Sequence, residues 1–174
     1  MKDWIRRLSW VPAGVMMAVI FMFSAKNAER SEEQSGAVVR VVLNMAETFV
    51  GSEYRSELMA NHSALAGIEA AVRKSAHAAE YAMLAVCVGF YIIVSTRFKK
   101  GWQYYAAVIG LCALYAATDE FHQLFVDGRS AQVSDVCIDT TGAAVGAALL
   151  KLAAGRKLKE WFKEEPARRT GGGM

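Results

Sequence analysis

The chain has 174 residues, of which 54% are hydrophobic, and a net charge of +3. That length suits one soluble domain, but the apolar residues are clustered in long uncharged runs, and this excludes an ordinary soluble core. Three cysteines, Cys87, Cys112 and Cys137, lie one to a run with no paired spacing, so neither a disulfide framework nor a cysteine zinc site is indicated and the thiols read as packing residues.

Leu8 to Ala25 is uncharged between Arg7 and Lys26 and approaches the ~20 residues that a spanning helix needs. Its basic start also fits a cleaved signal peptide, but the cleavage-site composition is poor and three more apolar runs follow, so it is read as a retained first span. Ser31 and Gln34 are then placed to form a capping box for a new helix. Val38, Val41 or Val42, Met45 and Phe49 recur at helical spacing, giving an apolar face that lies on the outer membrane surface, packs on the bundle or moves over it as a lid. Gly51-Ser52 stops that helix. Glu53 to His62 reads as irregular, with His62 a solvated loop residue.

From Ser63 a helical pattern runs unbroken into a second span. Arg73, His77, Glu80 and Tyr81 share one of its faces, at i, i+4, i+7 and i+8. The bland reading of this face is an interfacial belt, and the sharper one is an imidazole and a carboxylate placed for acid-base work. The third run ends in Asp119, Glu120, His122 and Gln123, with Asp119 and Gln123 on one face. Asp127-Gly128 marks a turn, Arg129 follows, and the fourth run carries Asp135 and Asp139 one turn apart. Ionisable groups at membrane depth cost roughly 2.5–3.5 kcal/mol each on insertion scales unless paired or hydrated, so this stretch marks a candidate site. Gly142 and Gly146 with Ala143 and Ala147 make a small-residue surface for close helix approach.

Lysine and arginine gather at the N-terminus, at 97–100 and in the tail, while the connection between the third and fourth runs holds Arg129 among acids. Basic segments stay on the cytoplasmic side, which places both termini inside and every polar cluster at the outer end of its span. Topology and anionic lipid account for the basic tail without nucleic acid. The expected architecture is an all-α integral membrane protein: a four-helix transmembrane bundle over 1–155, with spans near 8–25, 76–96, 101–119 and 133–151, an extracytoplasmic amphipathic helical segment after the first span, and a basic cytoplasmic tail over 156–174.

The motifs D-E-x-H-Q-x-F-V-x-G-R at 119–129 and D-V-x-x-D-x-x-G-x-x-x-G at 135–146 resemble those of the VanZ-like family of bacterial membrane proteins. F-S-x-K at 23–26, E-R-S-E-E-Q-S at 29–35 and R-K-x-x-H-x-x-E-Y at 73–81 extend the resemblance over most of the chain. Asp127 departs from it, since many relatives carry proline there. The founding member is associated with glycopeptide (teicoplanin) resistance, and the family assigns no roles to its motif residues. The resemblance implies a multi-pass protein of the bacterial cytoplasmic membrane and a cell-envelope partner.

Two activities fit the residues. One is binding of a lipid or lipid-linked envelope ligand, with Arg73, Tyr81, Gln123, Arg129, Asp135 and Asp139 as its contacts. The other is an outer-face enzyme acting on a phosphorylated or lipid-linked precursor, with His77, Glu80, Asp119, Glu120 and His122 as acid-base groups. The carboxylates and histidines show no recognised metal-ligand spacing, and the sequence leaves any cofactor unidentified. An ion-paired network joining the helices is a third reading, and a transporter would need inner-leaflet polar residues that the sequence lacks.

Overall fold

The computed structural model describes residues 2–26, 28–95 and 101–163, and among these all regular structure is α-helical, with no strand. In chain order the helices are α1 (Lys2–Leu8), α2 (Val11–Ser24), α3 (Ala28–Val50), α4 (Ser52–Ala60), α5 (His62–Ser95), α6 (Gly101–Gln123) and α7 (Val133–Lys163). The expected basic connection at 97–100 and the end of the tail at 164–174 lie outside the described residues.

Among the described residues, three stretches are long and apolar enough to cross a membrane: Trp4–Ser24, His62–Ser95 and Val133–Ala153. α6 has a comparable 23 residues, but Trp102, Gln103, Tyr104 and Tyr105 at its start make it less apolar than the others. Large apolar side chains such as Met22, Leu114, Leu149 and Leu152 point outward, whereas the interior is built from Ile20, Tyr81, Leu84, Val108, Cys112 and small residues such as Ala143 and Ala147. Apolar surface on this scale is what a membrane-embedded protein presents.

The first apolar run carries a local break at Ser9-Trp10, where the Ser9 hydroxyl donates to the Arg6 carbonyl oxygen at 2.8 Å, a bond that competes with the helical ladder. One sequence expectation needs correction here. The stretch expected to be irregular contains α4, entered through Gly51 at φ 84°, a conformation that favours glycine. Asn61 closes α4 and starts the next helix, its side-chain oxygen accepting from the Ala64 backbone N–H at 3.1 Å. His62 is exposed there, as the first residue of α5.

α5 runs unbroken for 34 residues, about 51 Å at 1.5 Å per residue, well beyond a ~30 Å hydrocarbon core. It is the central rod, touching α2, α3, α6 and α7. Its tightest partner is α7. A Cβ on Gly142 would overlap the Ala78 carbonyl, and one on Gly146 would overlap that of Ala82. The small-residue surface read from the sequence thus brings two backbones together. Farther along, Gly89 leaves room for the Tyr104 hydroxyl, which donates to the Ala147 carbonyl oxygen at 3.1 Å and ties α6 to the same seam.

The amphipathic segment forms the helix α3. Ser31, Ser35 and Val39 are buried, whereas Val38, Val41, Val42 and Met45 are exposed. The face with small side chains approaches α5 closely, and the branched residues are left facing outward. Ser31 lies inside the helix and does not cap it; the Ser35 hydroxyl donates back to its carbonyl oxygen at 2.8 Å.

Adding a methyl group at the seam should therefore be costly. Gly142→Ala and Gly146→Ala are each expected to destabilise by about 1–3 kcal/mol, the range for overpacking. Gly110→Ala on α6, with open space around it, should stay within about 0.5 kcal/mol of wild type. Thermal unfolding of the purified protein in detergent measures all three.

Candidate functional site

The α5–α7 seam places His77 and Glu80 one residue before Ala78 and two before Ala82, and Asp135 and Asp139 one to two turns before Gly142 and Gly146. The polar residues therefore meet at one end of the seam. A small cavity of about 20 Å³ there is lined by Arg73, Lys74 and His77 from α5, Glu120 and Gln123 from α6, Arg129 from the following turn, and Asp135 and Asp139 from α7. A second cavity, of about 140 Å³, shares Arg73, His77 and Arg129 with it and extends under α3 to Ser31, Gln34 and Phe23.

α6 contributes through a buried stripe, Ala116, Asp119, Glu120 and Gln123, at i, i+3, i+4 and i+7. The Gln123 amide donates to Ser24 Oγ at 3.1 Å, which joins α6 to the end of α2, and lies 3.4 Å from Asp119 Oδ2. Glu120 Oε2 accepts the Gln132 backbone N–H at 2.8 Å, placing a carboxylate where α7 begins and its dipole favours negative charge. The turn between them is closed by the Arg129 N–H donating to the Val126 carbonyl oxygen at 3.1 Å, with Gly128 at φ 75°. The turn expected at 127–128 is present, and glycine is what its positive φ favours.

His77 Nδ1 lies 3.3 Å from Glu80 Oε2, within ion-pair distance, so its Nε2 is the nitrogen left for the cavities that His77 lines. Asp135 pairs with Lys74, a residue that sequence reasoning had not singled out as part of the site. Arg129 donates from Nη2 to the Ser31 hydroxyl. Burial pushes its guanidinium below the usual arginine value and the like charge of Arg73 adds to this, while Glu120, Asp119 and Asp135 act in the opposite sense. Among the described residues no carboxylate forms an ion pair with Arg73 or Arg129.

Several buried polar atoms in this region have no hydrogen-bond partner within the protein: Tyr81 Oη, Asp119 Oδ1, Asp139 Oδ1 and Arg129 Nε. Tyr81 is fully buried and Asp119 and Asp139 are 4% exposed, so each orphaned group is expensive to leave unmatched. His122, Asp119 and Tyr81 line neither cavity; the His122 ring packs on Phe21 of α2, centroids 4.6 Å apart, and its buried Nε2 also lacks a hydrogen-bond partner within the protein. Among the described residues no group of three histidine, cysteine or acidic side chains is placed as metal ligands would be.

The residues that build this geometry, from the Ser24 end of α2 to the glycines of α7, fall within 9–154, which match the family model for VanZ/LLP1. The chain belongs to the VanZ/LLP1 family. Neither the curated proteins nor the solved structures yield a match. Family membership together with three membrane-length apolar helices makes this a VanZ-like membrane protein. The residues that sequence reasoning missed in the VanZ-like site, Ser24, Ser31 and Lys74, lie inside the same motifs as those it found; their short or flexible side chains gave no periodic signal of their own.

Gly128→Ala forces a Cβ into the left-handed region and is expected to cost about 1–2 kcal/mol. It should also loosen Arg129, read as faster hydrogen exchange at 126–130 than in wild type.

Proposed function

We propose that this VanZ-like protein binds an anionic, lipid-linked cell-envelope ligand at a polar site on the outer side of the bacterial cytoplasmic membrane, and so contributes to glycopeptide (teicoplanin-type) resistance. In this reading α2, α5, α6 and α7 are four spans, both termini are cytoplasmic, and α3 lies at the outer surface. The basic N-terminus and tail support that orientation through the positive-inside tendency.

The observation that carries the reading is the pair Arg73 and Arg129. Two guanidinium groups feel each other's charge beside a shared cavity, with no carboxylate paired to either among the described residues, although four acids lie nearby. Like charges held together are unfavourable on their own. They become favourable when an anion sits between them, and the planar fork of arginine matches phosphate or carboxylate oxygens two at a time. The hydroxyl of Ser31 adds a donor on the same lining, and the Nε2 of His77 adds another when the ring is protonated.

A second reading, an enzyme acting on a phosphorylated or lipid-linked envelope precursor, is supported by the His77–Glu80 contact. A carboxylate beside one imidazole nitrogen orients the ring and leaves the other nitrogen free to exchange a proton with a bound group. Tyr81, Asp119, Glu120, Gln123, Asp135 and Asp139 then set the charge around that exchange. His77→Asn separates the two readings: it abolishes phosphate release from an envelope lipid if the protein is an enzyme, and no release occurs from wild type if it only binds.

Glycerol 3-phosphate titrated into the purified full chain in detergent tests the anion site. Arg73→Gln and Arg129→Gln should each weaken binding by about tenfold or more, the loss of one charge-assisted contact. Binding unaffected by either change removes the reading. In a susceptible host, the same variants at equal membrane abundance should lower teicoplanin tolerance relative to wild type; unchanged tolerance would separate ligand binding from resistance.

A further inference from the structure

The larger cavity joins two kinds of lining. Arg73, Arg129 and His77 supply donors and positive charge, while Phe23, Val38, Val72 and Ala76 supply hydrocarbon. Its volume, about 140 Å³, is close to that of an engineered cavity of ~150 Å³ that holds a single benzene. A head of about that size fits within it and a hydrocarbon chain does not. Phe23 and Val38 also face outward, being 42% and 50% exposed, and the exposed apolar strip continues from Val38 along α3 through Val41, Val42 and Met45. Lys26 sits at this edge, its Nζ 4.2 Å from the Phe23 ring centroid and 3.4 Å from Gln34 Oε1. An anion without a chain makes no use of the apolar half, and a neutral lipid makes no use of the cations.

Resting on the anion-binding reading above, we propose that the ligand is a membrane lipid with a phosphate-bearing head, whose phosphate lies between Arg73 and Arg129 and whose chain leaves between α2 and α3, over Phe23 and Val38, into the bilayer. The lipid enters sideways from the membrane, with Lys26 beside its path. The competing route is an open apolar groove between α5 and α7, about 510 Å³, lined by Ala79, Cys137, Thr141 and Val145, which meets the small polar cavity at Ile138. That route takes the phosphate past Glu120 and Asp139, whose charge opposes it, and past Asp135, which Lys74 pairs. The α2–α3 route has cations along it and no acid on its lining except Glu80, which is held by His77.

The test uses the full chain in phosphatidylcholine nanodiscs containing phosphatidic acid with a diazirine at the end of one acyl chain. After illumination, mass spectrometry should find the label on peptides from 11–26 and 28–50, and unlabelled phosphatidic acid should compete it away. Arg73→Gln with Arg129→Gln, checked for folding by circular dichroism, should reduce the label by about tenfold. Phe23→Ala with Val38→Ala, at sites open enough to tolerate truncation, should lower the ratio of phosphatidic acid to glycerol 3-phosphate affinity by about tenfold. Label confined to the α5–α7 groove overturns the proposed route while leaving the anion site standing, provided glycerol 3-phosphate still binds in an arginine-dependent way. Label that neither competes nor responds to the arginine changes overturns the lipid proposal, and if glycerol 3-phosphate also fails to bind, the anion-site reading falls with it.

Discussion

The close approach of α5 and α7 is the constraint on which the rest of the molecule depends. Ala78 and Ala82 present bare backbone to Gly142 and Gly146, and no side chain larger than hydrogen fits at either glycine. Because the two helices meet at backbone distance, the side chains just beyond the contact are forced into one small volume. That is why His77, Glu80, Asp135 and Asp139 become neighbours although some 60 residues separate the two pairs. α6 is pinned to the same seam by Tyr104 and brings Asp119, Glu120 and Gln123 with it. Packing here is a means of concentrating charge.

The concentrated charge is only partly neutralised. Lys74 takes Asp135, Gln132 satisfies one oxygen of Glu120, and Ser31 takes one arm of Arg129. A network serving stability alone would pair its remaining members, because unpaired buried polar groups cost more than their hydrogen bonds return. Instead Arg73 and Arg129 line the same cavities with no carboxylate ion-paired to either among the described residues, and Asp119, Asp139 and Tyr81 keep unmatched oxygens. On the proposed reading, such a site is complementary to something with its own charge and donors. The physical distinction is between a lock already closed on itself and one left open.

Much of this was legible in the sequence, and the failures have definite causes. The uninterrupted helix from residue 62 or 63, the turn at Asp127-Gly128 and the glycine seam were readable because each rests on a local rule: periodicity, turn chemistry or side-chain size. The shared face of Arg73, His77, Glu80 and Tyr81 was readable for the same reason. The contact of His122 with Phe21 was not, because it depends on where another helix places Phe21. Periodicity also identified the apolar stripe of α3 but left open whether it faces the membrane surface or the bundle. The structure turns Ser31, Ser35 and Val39 inward and the other branched residues outward, a choice that periodicity alone does not make. The break at Ser9-Trp10 and the helix α4 depend on single serine, glycine and asparagine contacts that hydropathy does not register.

The unbroken length of α5 has one more implication. Arg73, His77 and Tyr81 ride on the same rigid rod that would cross the bilayer, with no hinge between the apolar half and the polar half. Their height above the hydrocarbon is then fixed by the helix and cannot be adjusted by a loop. When the bilayer thickens or thins, a stiff helix responds by tilting or by deforming nearby lipid, at fractions of a kcal/mol per Å. On the proposed reading, the depth at which the arginines stand becomes a property shared between protein and membrane, so that lipid composition would act on the site as a mechanical variable as well as a source of ligand.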